Sequence, residues 1–378
     1  MFTKDDADFM RLALAEAQKS LYLSNPNPRV GCVIVQAGQV IGTGFTQQVG
    51  LAHAEIEALA DARKHSADLS GSTIYVSLEP CCHVGRTPPC THAIIAAKPA
   101  RVVIAMQDPN PLVSGNGIKQ MTAAGIQVEC GLLEAEAAAL NPGFISRMTR
   151  HLPWVRLKVA ASLDGKTALP NGQSQWITGA AARDDGHHWR AQACAILTGV
   201  GTVKEDDPRL TVRAVNTVRQ PKRIIIDSKL DIPLTASVLK QFASESDTNK
   251  DIGVMVVCGE ITTEAQLAKR GQLQAQGVEV ISMPNSMGKV DLLALMRYLA
   301  TEREVNEIHV EAGHKLNGSL LCEGCIDELL VYLAPTLLGD GLGIANLPEL
   351  TSLTQRTDWK RIDHTAFDSD LRLRFVRQ

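Results

Sequence analysis

Apolar and charged positions alternate at helical spacing over residues 5–20, with Asp5 and Asp6 suited to the positive end of a helix dipole; the spacing predicts a helix. VGCVIV (30–35) and QVIGTGF (39–45) are short apolar runs joined through Ala37 and Gly38, the pattern of a hairpin. A helix from His53 to about Lys64 follows, then a strand at 73–78, a helix at 91–98, a strand at 101–106, a helix at 116–124 and a strand at 126–130. The pattern breaks at Asn141-Pro142-Gly143 and restarts with the run 154–165. Further strands are predicted at 193–199, 223–227, 254–259, 278–282, 307–311 and 328–335, with helices at 179–192 and 291–301. Polar stretches at 214–222 and 241–251 read as surface loops. Strands and helices alternate through both halves, which predicts two layered α/β domains, residues 1–147 and 148–378.

Length agrees with that division, since 378 residues exceed what one core holds comfortably. Net charge is −3, with 12 Lys/Arg against 13 Asp/Glu up to residue 150 and 26 against 28 beyond. Neither half is a basic arm, and 4% aromatics leave little surface for stacking bases. Nucleic acid and membrane surfaces are therefore not expected partners, whereas small phosphorylated ligands are. No run of about 18 apolar residues predicts a transmembrane helix. Asp5, Asp6 and Asp8 do not fit the basic start of a secretory signal. The nine cysteines are then expected as reduced thiols or metal ligands, and the compartment as the cytoplasm.

Chemistry enters at His53-Ala54-Glu55, which opens a helix after a glycine-containing loop. A strand ends downstream in Glu79-Pro80-Cys81, and Cys90 heads the next helix. One imidazole and two thiolates make three ligands for tetrahedral zinc, with the fourth position left to water. Zinc lowers the pKa of that water to about 7. Glu55, two residues from the His ligand, is placed to move the water's proton to a leaving amine. Two blander readings stand beside this one: a chance His near two structural cysteines, and a closed structural zinc in which Cys82 or His83 is the fourth ligand.

These residues resemble the zinc-dependent cytidine-deaminase-like superfamily, with the two cysteines nine apart in EPCCHVGRTPPC. That long loop, together with Asn25-Pro-Asn-Pro-Arg-Val-Gly31, resembles the deaminase half of the bifunctional riboflavin-biosynthesis deaminase/reductases. The resemblance implies Asn27, His83 and Arg86 near the pyrimidine or its ribose phosphate. Relatives usually carry His where this chain has Thr46, so one substrate contact is expected to be missing or replaced.

The second half has neither G-x-G-x-x-G after a strand nor a P-loop. Glycine-rich VEAGHKLNGSL (310–320) suggests a strand ending at Glu311 and a helix starting near Gly313, whose free amides suit phosphate; a plain helix start explains it equally well. KVAASLDGK, SQWITG, Arg190-Ala-Gln192, ILTGVGTVKEDDPRLTVR, IIIDS and VEAG together resemble the reductase half of the same family, with its dihydrofolate-reductase-like fold. The resemblance implies NADPH held by Ala160, Trp176, Thr202, Asp206, Ser228 and the loop Gly313, His314, Lys315, Leu316, Asn317, Gly318 and Ser319. It implies substrate held by Ser174, Arg190, Leu210, Arg213 and Glu311, with the two arginines as a phosphate clamp. Lys158, Asp206 and Glu311 are rival proton donors. Cys322-x-x-Cys325 reads as structural, and His187-His188 as a solvated helix face.

The expectation is thus a two-headed enzyme. Its front half would deaminate 2,5-diamino-6-(5-phosphoribosylamino)pyrimidin-4(3H)-one with zinc. Its back half would reduce the ribosyl group of the product to ribityl with NADPH, and the family likeness adds a possible homodimer. The alternatives are a zinc-containing flavin-precursor sensor without turnover, and a nucleic-acid deaminase with an appended domain.

Overall fold

The computed structural model describes residues 2–65, 68–85, 87–240 and 253–378, and the chain divides into two compact units, Met1–His151 and Leu152–Gln378. Arg86 and the whole of the loop expected at 241–251 lie outside the described residues. Among the described residues, no helix is long and apolar enough to cross a membrane.

The first unit runs α1 (Lys4–Gln18), β1 (Gly31–Gln36), β2 (Gln39–Phe45), α2 (Ala54–His65), β3 (Thr73–Val76), α3 (Cys90–Ala97), β4 (Arg101–Ile104), α4 (Asn116–Ala123), β5 (Gln127–Cys130), α5 (Glu134–Leu140) and α6 (Pro142–Arg150). Its sheet has the order β2-β1-β3-β4-β5. The hairpin is antiparallel, as is β1 against β3, while β3, β4 and β5 are parallel. Helices cover both faces. Gly31 brings the backbone of α1 against one side of β1, and Gly42 and Gly44 bring α2 against the other side of β2. Cys32, Ile34, Ile74, Val76 and Val102 to Ile104 fill the space between these layers.

A helix, α6, spans the boundary expected at 147/148. Pro142 stands at its first position, where a missing N–H costs nothing and φ is already helical. The Asn-Pro-Gly run therefore opens a helix instead of closing a domain, and the division falls after His151.

The second unit continues with β6 (Trp154–Ser162), β7 (Lys166–Ala168), α7 (Ala180–Gln192), β8 (Ala195–Gly199), α8 (Val200–Asp206), β9 (Lys222–Ile226), β10 (Val254–Cys258), α9 (Glu264–Ala275), β11 (Glu279–Ser282), α10 (Leu292–Thr301), β12 (Glu307–Val310), α11 (His314–Cys322), β13 (Glu328–Ala334), β14 (Leu342–Gly343), β15 (Trp359–Phe367) and β16 (Asp370–Arg377). Nine strands form one sheet, β11-β10-β9-β8-β12-β6-β13-β16-β15. The first seven are parallel, and the β15–β16 hairpin adds an antiparallel edge. Both faces are buried: Leu157, Leu197 and Val257 pack with α10 on one, Ile196, Ile225 and Val256 with α9 on the other. Continuous apolar strands such as VMVVC follow from that double burial.

Chain direction across this sheet reverses between β8 and β12. From β8 the chain moves outward to β9, β10 and β11; it returns at β12 and leaves the other way to β13. Ligands of open parallel sheets bind at such a switch point, outside the carboxyl ends of the strands.

Candidate active sites

His53 directly precedes α2, and its carbonyl accepts the N–H groups of Ile56 and Glu57 at 3.1 Å. Cys81 follows β3, and Cys90 is the first residue of α3. The His53 Nδ1 lies 3.6 Å from the Cys81 Sγ and 3.4 Å from the Cys90 Sγ, and all three ligand atoms fall within 4.8 Å of one another. Zn–S bonds of about 2.3 Å and Zn–N bonds of about 2.0 Å at a tetrahedral centre separate N and S by roughly 3.6 Å. Donor set and spacing therefore fit zinc. The other imidazole nitrogen is 3.5 Å from the Thr87 hydroxyl, which orients the ring.

The surrounding loops are pinned through backbone amides. Cys90 donates its N–H to the Cys81 sulfur (3.3 Å), and Thr91 donates to the Cys81 carbonyl (3.2 Å). Glu79 accepts the N–H groups of Asp108, Gly115 and Ile118 at 3.2, 2.9 and 3.1 Å, tying the segment before Cys81 to the start of α4. The hydrogen bond from Cys90 pulls the Cys81 thiol down, and Cys81 with burial pushes Cys90 up. Glu55 is buried on α2. Burial, then the Cys81 charge, pushes its carboxyl up to about 7, against the pull of His53.

Neither proposed fourth ligand joins the cluster among the described residues. Cys82 donates to the Leu112 carbonyl at 3.7 Å, and the His83 Nδ1 is buried without a hydrogen-bond partner. The closed structural zinc is thus not what these residues form.

Asn27 lies in the turn before β1, and His83 in the loop between the two cysteines. The antiparallel register brings the start of β1 beside the end of β3, so both loops lie at the metal-bearing end of the sheet. Thr46 is buried, its hydroxyl 3.2 Å from the Val30 N–H, which it accepts. It closes a backbone gap, where a histidine would offer a longer polar reach. Sequence reasoning missed Asp108, a buried carboxyl after β4. Burial pushes it up to about 7, although the Asn110 N–H opposes the shift, and Glu79, Cys81 and Glu55 add to it. The polar run DPNP directly after an apolar strand was the available signal.

In the second unit, the ends of β6 and β12 and one side of α7 build a charged cluster. Arg190 grips Glu311 in a two-pronged pair, Nε to Oε1 at 2.5 Å and Nη2 to Oε2 at 2.7 Å. Its Nη1 donates to the Thr211 carbonyl at 3.1 Å. Against the upward push of burial, Arg190 holds the Glu311 carboxyl well below its usual range. Arg190 and Glu311 are thus paired with one another. Arg213 is exposed and engages the Thr211 carbonyl and hydroxyl through Nη1 at 3.5 and 3.1 Å. Lys158 reaches from β6, with Nζ 5.6 Å from the centre of the Tyr332 ring; burial lowers its pKa, while Glu311 opposes the shift.

The other expected residues lie as follows. Thr202, in the first turn of α8, is within 3.7 Å of where a side chain on Gly313 would begin. Gly199 lets Leu316 approach, since a Cβ there would stand 3.2 Å from it. Asp206 ends α8, exposed, and accepts from Ser174 (3.5 Å) and Gln175 (3.1 Å). Trp176 is 70% exposed, with the Arg183 guanidinium 4.5 Å over its ring. Ser228 follows β9 and accepts the Val290 N–H at 3.2 Å, and Ala160 pairs with Tyr332 in the β6–β13 ladder. Leu210 buries its side chain and has φ +52°, so it can offer only backbone.

The helix expected near Gly313 is present as α11, with Gly313 as its N-cap, so the residues 313–319 named as a cofactor loop are mostly helix, and the Asn317 N–H is already spent on the Gly313 carbonyl at 3.1 Å. Only the amides of the first turn are open to a phosphate, because helix geometry leaves just those without partners. Asn317 and Gly318 are buried; the Asn317 Nδ2 bonds the Ile344 carbonyl at 2.8 Å, while its Oδ1 has no partner. His187 is not part of a solvated face, for it is half-buried and accepts the Arg213 N–H on Nδ1 at 3.3 Å; His188 is exposed.

A nine-stranded sheet, parallel but for its hairpin edge and reversing direction at β8 and β12, preceded by a domain bearing His, two Cys and a buried Glu, defines a deaminase-type zinc domain joined to a dihydrofolate-reductase-like domain. Residues 3–106 match the cytidine and deoxycytidylate deaminase zinc-binding region, and residues 153–373 match the RibD C-terminal domain. The chain is 42% identical to the riboflavin biosynthesis protein RibD of Escherichia coli (strain K12), with 97% of this chain and 99% of that one covered. It is 41% identical to the protein of that name from Aquifex aeolicus, with 92% of each covered. Among solved structures, Acinetobacter baumannii RibD (form 1) matches with a TM-score of 0.89, 41% identity and 99% of both chains covered. A Thermotoga maritima diaminohydroxyphosphoribosylaminopyrimidine deaminase/5-amino-6-(5-phosphoribosylamino)uracil reductase matches with a TM-score of 0.83, 33% identity and 99% of both covered. The chain belongs to the RibD family of riboflavin biosynthesis proteins.

Proposed function

We propose that the chain carries out two consecutive steps of riboflavin synthesis, the first unit deaminating 2,5-diamino-6-(5-phosphoribosylamino)pyrimidin-4(3H)-one and the second reducing the ribosyl group of the resulting uracil. The observation that carries the reading is the convergence of His53, Cys81 and Cys90 beside the buried carboxyl of Glu55. His53, Cys81 and Cys90 would hold zinc, which would supply an activated water. Glu55 takes that water's proton and delivers it to the amine leaving C2, so one water is consumed and one ammonia released. A buried carboxyl two residues from the His ligand is placed for both halves of that transfer. Asn27, His83 and Arg86 hold the substrate in this reading, and Asp108 faces the same end of the sheet.

In the second unit NADPH, when bound, would supply the hydride that C1′ of the sugar receives. The chain's residues must align the ring and provide one proton to the oxygen that leaves C1′. Lys158 is the donor best supported, because Glu311 is held as a carboxylate and Asp206 is an exposed acceptor. Thr202, Ser228 and the first-turn amides of α11 hold the cofactor, and Arg213, Ser174 and the Leu210 backbone hold the substrate. The enzyme works in the cytoplasm on small molecules, as a homodimer by family likeness. Purified protein should release ammonia from the diaminopyrimidine and then oxidise NADPH with the deaminated product. No ammonia from the first substrate ends the deaminase half of the reading; no NADPH loss with the second ends the other.

A further inference from the structure

His187 sits on α7 one turn before Arg190, so both face the loop that follows α8. That loop carries Thr211 and Arg213. Arg190 and Arg213 both donate to the Thr211 carbonyl, and the Arg213 N–H donates to the His187 Nδ1 at 3.3 Å. Helix and loop are thus closed into a ring of contacts with His187 as one clasp. Since Nδ1 accepts, the imidazole is neutral and its proton is on Nε2. Burial, then Arg190 and Arg213, push its pKa down to about 4, against Glu311 and Asp184.

Charge around the ring is unbalanced. Arg190, Arg213 and Lys158 all act on or with the carboxylate of Glu311, Asp184 is the other carboxylate acting on His187, and Arg209 acts on Arg213 as well. Arg190 is committed to Glu311. Arg213 is exposed, with its guanidinium bonded to Thr211 of its own loop, so it is able to meet an incoming anion, and what fixes its backbone decides how well it does so. A guanidinium fork matches phosphate oxygens only when it is aimed.

We propose that His187 is a positioning residue of the reductase domain: its Nδ1 holds the backbone of Arg213 so that this arginine is aimed at the phosphate of a sugar-phosphate substrate. The inference rests on the reading of this domain as the phosphoribosyl reductase. His187→Phe keeps the ring's bulk and removes the acceptor. His187→Asn places an amide oxygen where Nδ1 was and keeps it.

The test follows NADPH oxidation by the full chain, with the phosphorylated substrate and with the same compound lacking its phosphate. His187→Phe should raise KM for the phosphorylated substrate about tenfold, the worth of one well-made polar contact to a charged group, with a smaller effect on kcat. His187→Asn should restore most of that loss. KM for the dephosphorylated compound should be equal in all three proteins. Equal KM in wild type and His187→Phe overturns the proposal, and so does an equal rise for both substrates. Ribose 5-phosphate binding by titration calorimetry gives a second reading that needs no turnover. If the wild type does not oxidise NADPH, the reductase reading fails, while the proposal still stands or falls on weaker ribose 5-phosphate binding by His187→Phe than by His187→Asn.

Discussion

Gly44 offers a direct way to move the proton carrier without touching it. It lies in β2 under α2, the helix that begins one residue after His53 and carries Glu55. A methyl group on Gly44 would stand 2.3 Å from the Ala54 carbonyl oxygen, 2.4 Å from the Ala58 nitrogen and 2.7 Å from the Glu57 Cβ. Ordinary contact begins near 3.4 Å, and two of these atoms are backbone, so helix and strand must part by about 1 Å. Overpacking of this kind costs about 1–3 kcal/mol. A misplacement of about 1 Å at the chemistry costs about 100-fold in rate. Gly44→Ala should therefore lower ammonia release about 100-fold and lower the first thermal transition. NADPH oxidation by the second unit, given deaminated substrate, should stay at the wild-type rate. Wild-type ammonia release together with an unchanged transition would refute the argument, since it would mean that α2 is not seated on the glycine.

Asp6 is buried and holds Arg101 in a two-pronged pair at 2.6 and 3.2 Å; although burial raises its pKa, Arg101, Thr3 and Tyr75 hold it well below the usual carboxylate range. A depressed carboxylate contributes stability above its unfolded pKa of about 3.9, lost as pH falls through the folded value. Asp6→Asn should cost about 1.5–3 kcal/mol in urea melts at pH 7, and the gap to wild type should narrow in acid; a constant gap would contradict the pairing. Glu311→Gln removes the charge that opposes the fall of the Lys158 pKa. The basic limb of the reductase pH–rate profile should move to lower pH, and a limb that stays in place would exclude Lys158 as the donor. A methyl on Gly318 would stand 2.0 Å from the Asn346 carbonyl oxygen. Gly318→Ala should thus lower the melting temperature and weaken NADPH binding by fluorescence titration, and unchanged binding would detach α11 from the cofactor.

Periodicity made most of the fold legible, because buried parallel strands such as RIIID and VMVVC are continuous apolar runs with polar borders. It failed where punctuation was ambiguous. Pro142 closes a pattern in sequence but opens α6 in space. The β15–β16 hairpin went unread although Leu371, Leu373 and Phe375 alternate with Arg372 and Arg374, because a half-exposed edge gives a weak signal. The metal site was readable because Cys81 and Cys90 bound one unusual segment and HAE marks a helix start. Arg190 was legible as a residue and not as a role, since its commitment to Glu311 depends on a partner 121 positions away. His187 was invisible for the same reason: nothing local distinguishes a clasped imidazole from a solvated one.

Zinc content and ammonia release measured on one preparation each of wild type and Glu55→Gln test the central claim most directly. The account predicts one zinc per chain in both proteins, with ammonia release falling about 100- to 10,000-fold in the variant, the range for a lost general acid–base group. An active wild type without zinc, or a Glu55→Gln protein that releases ammonia at the wild-type rate, would contradict it.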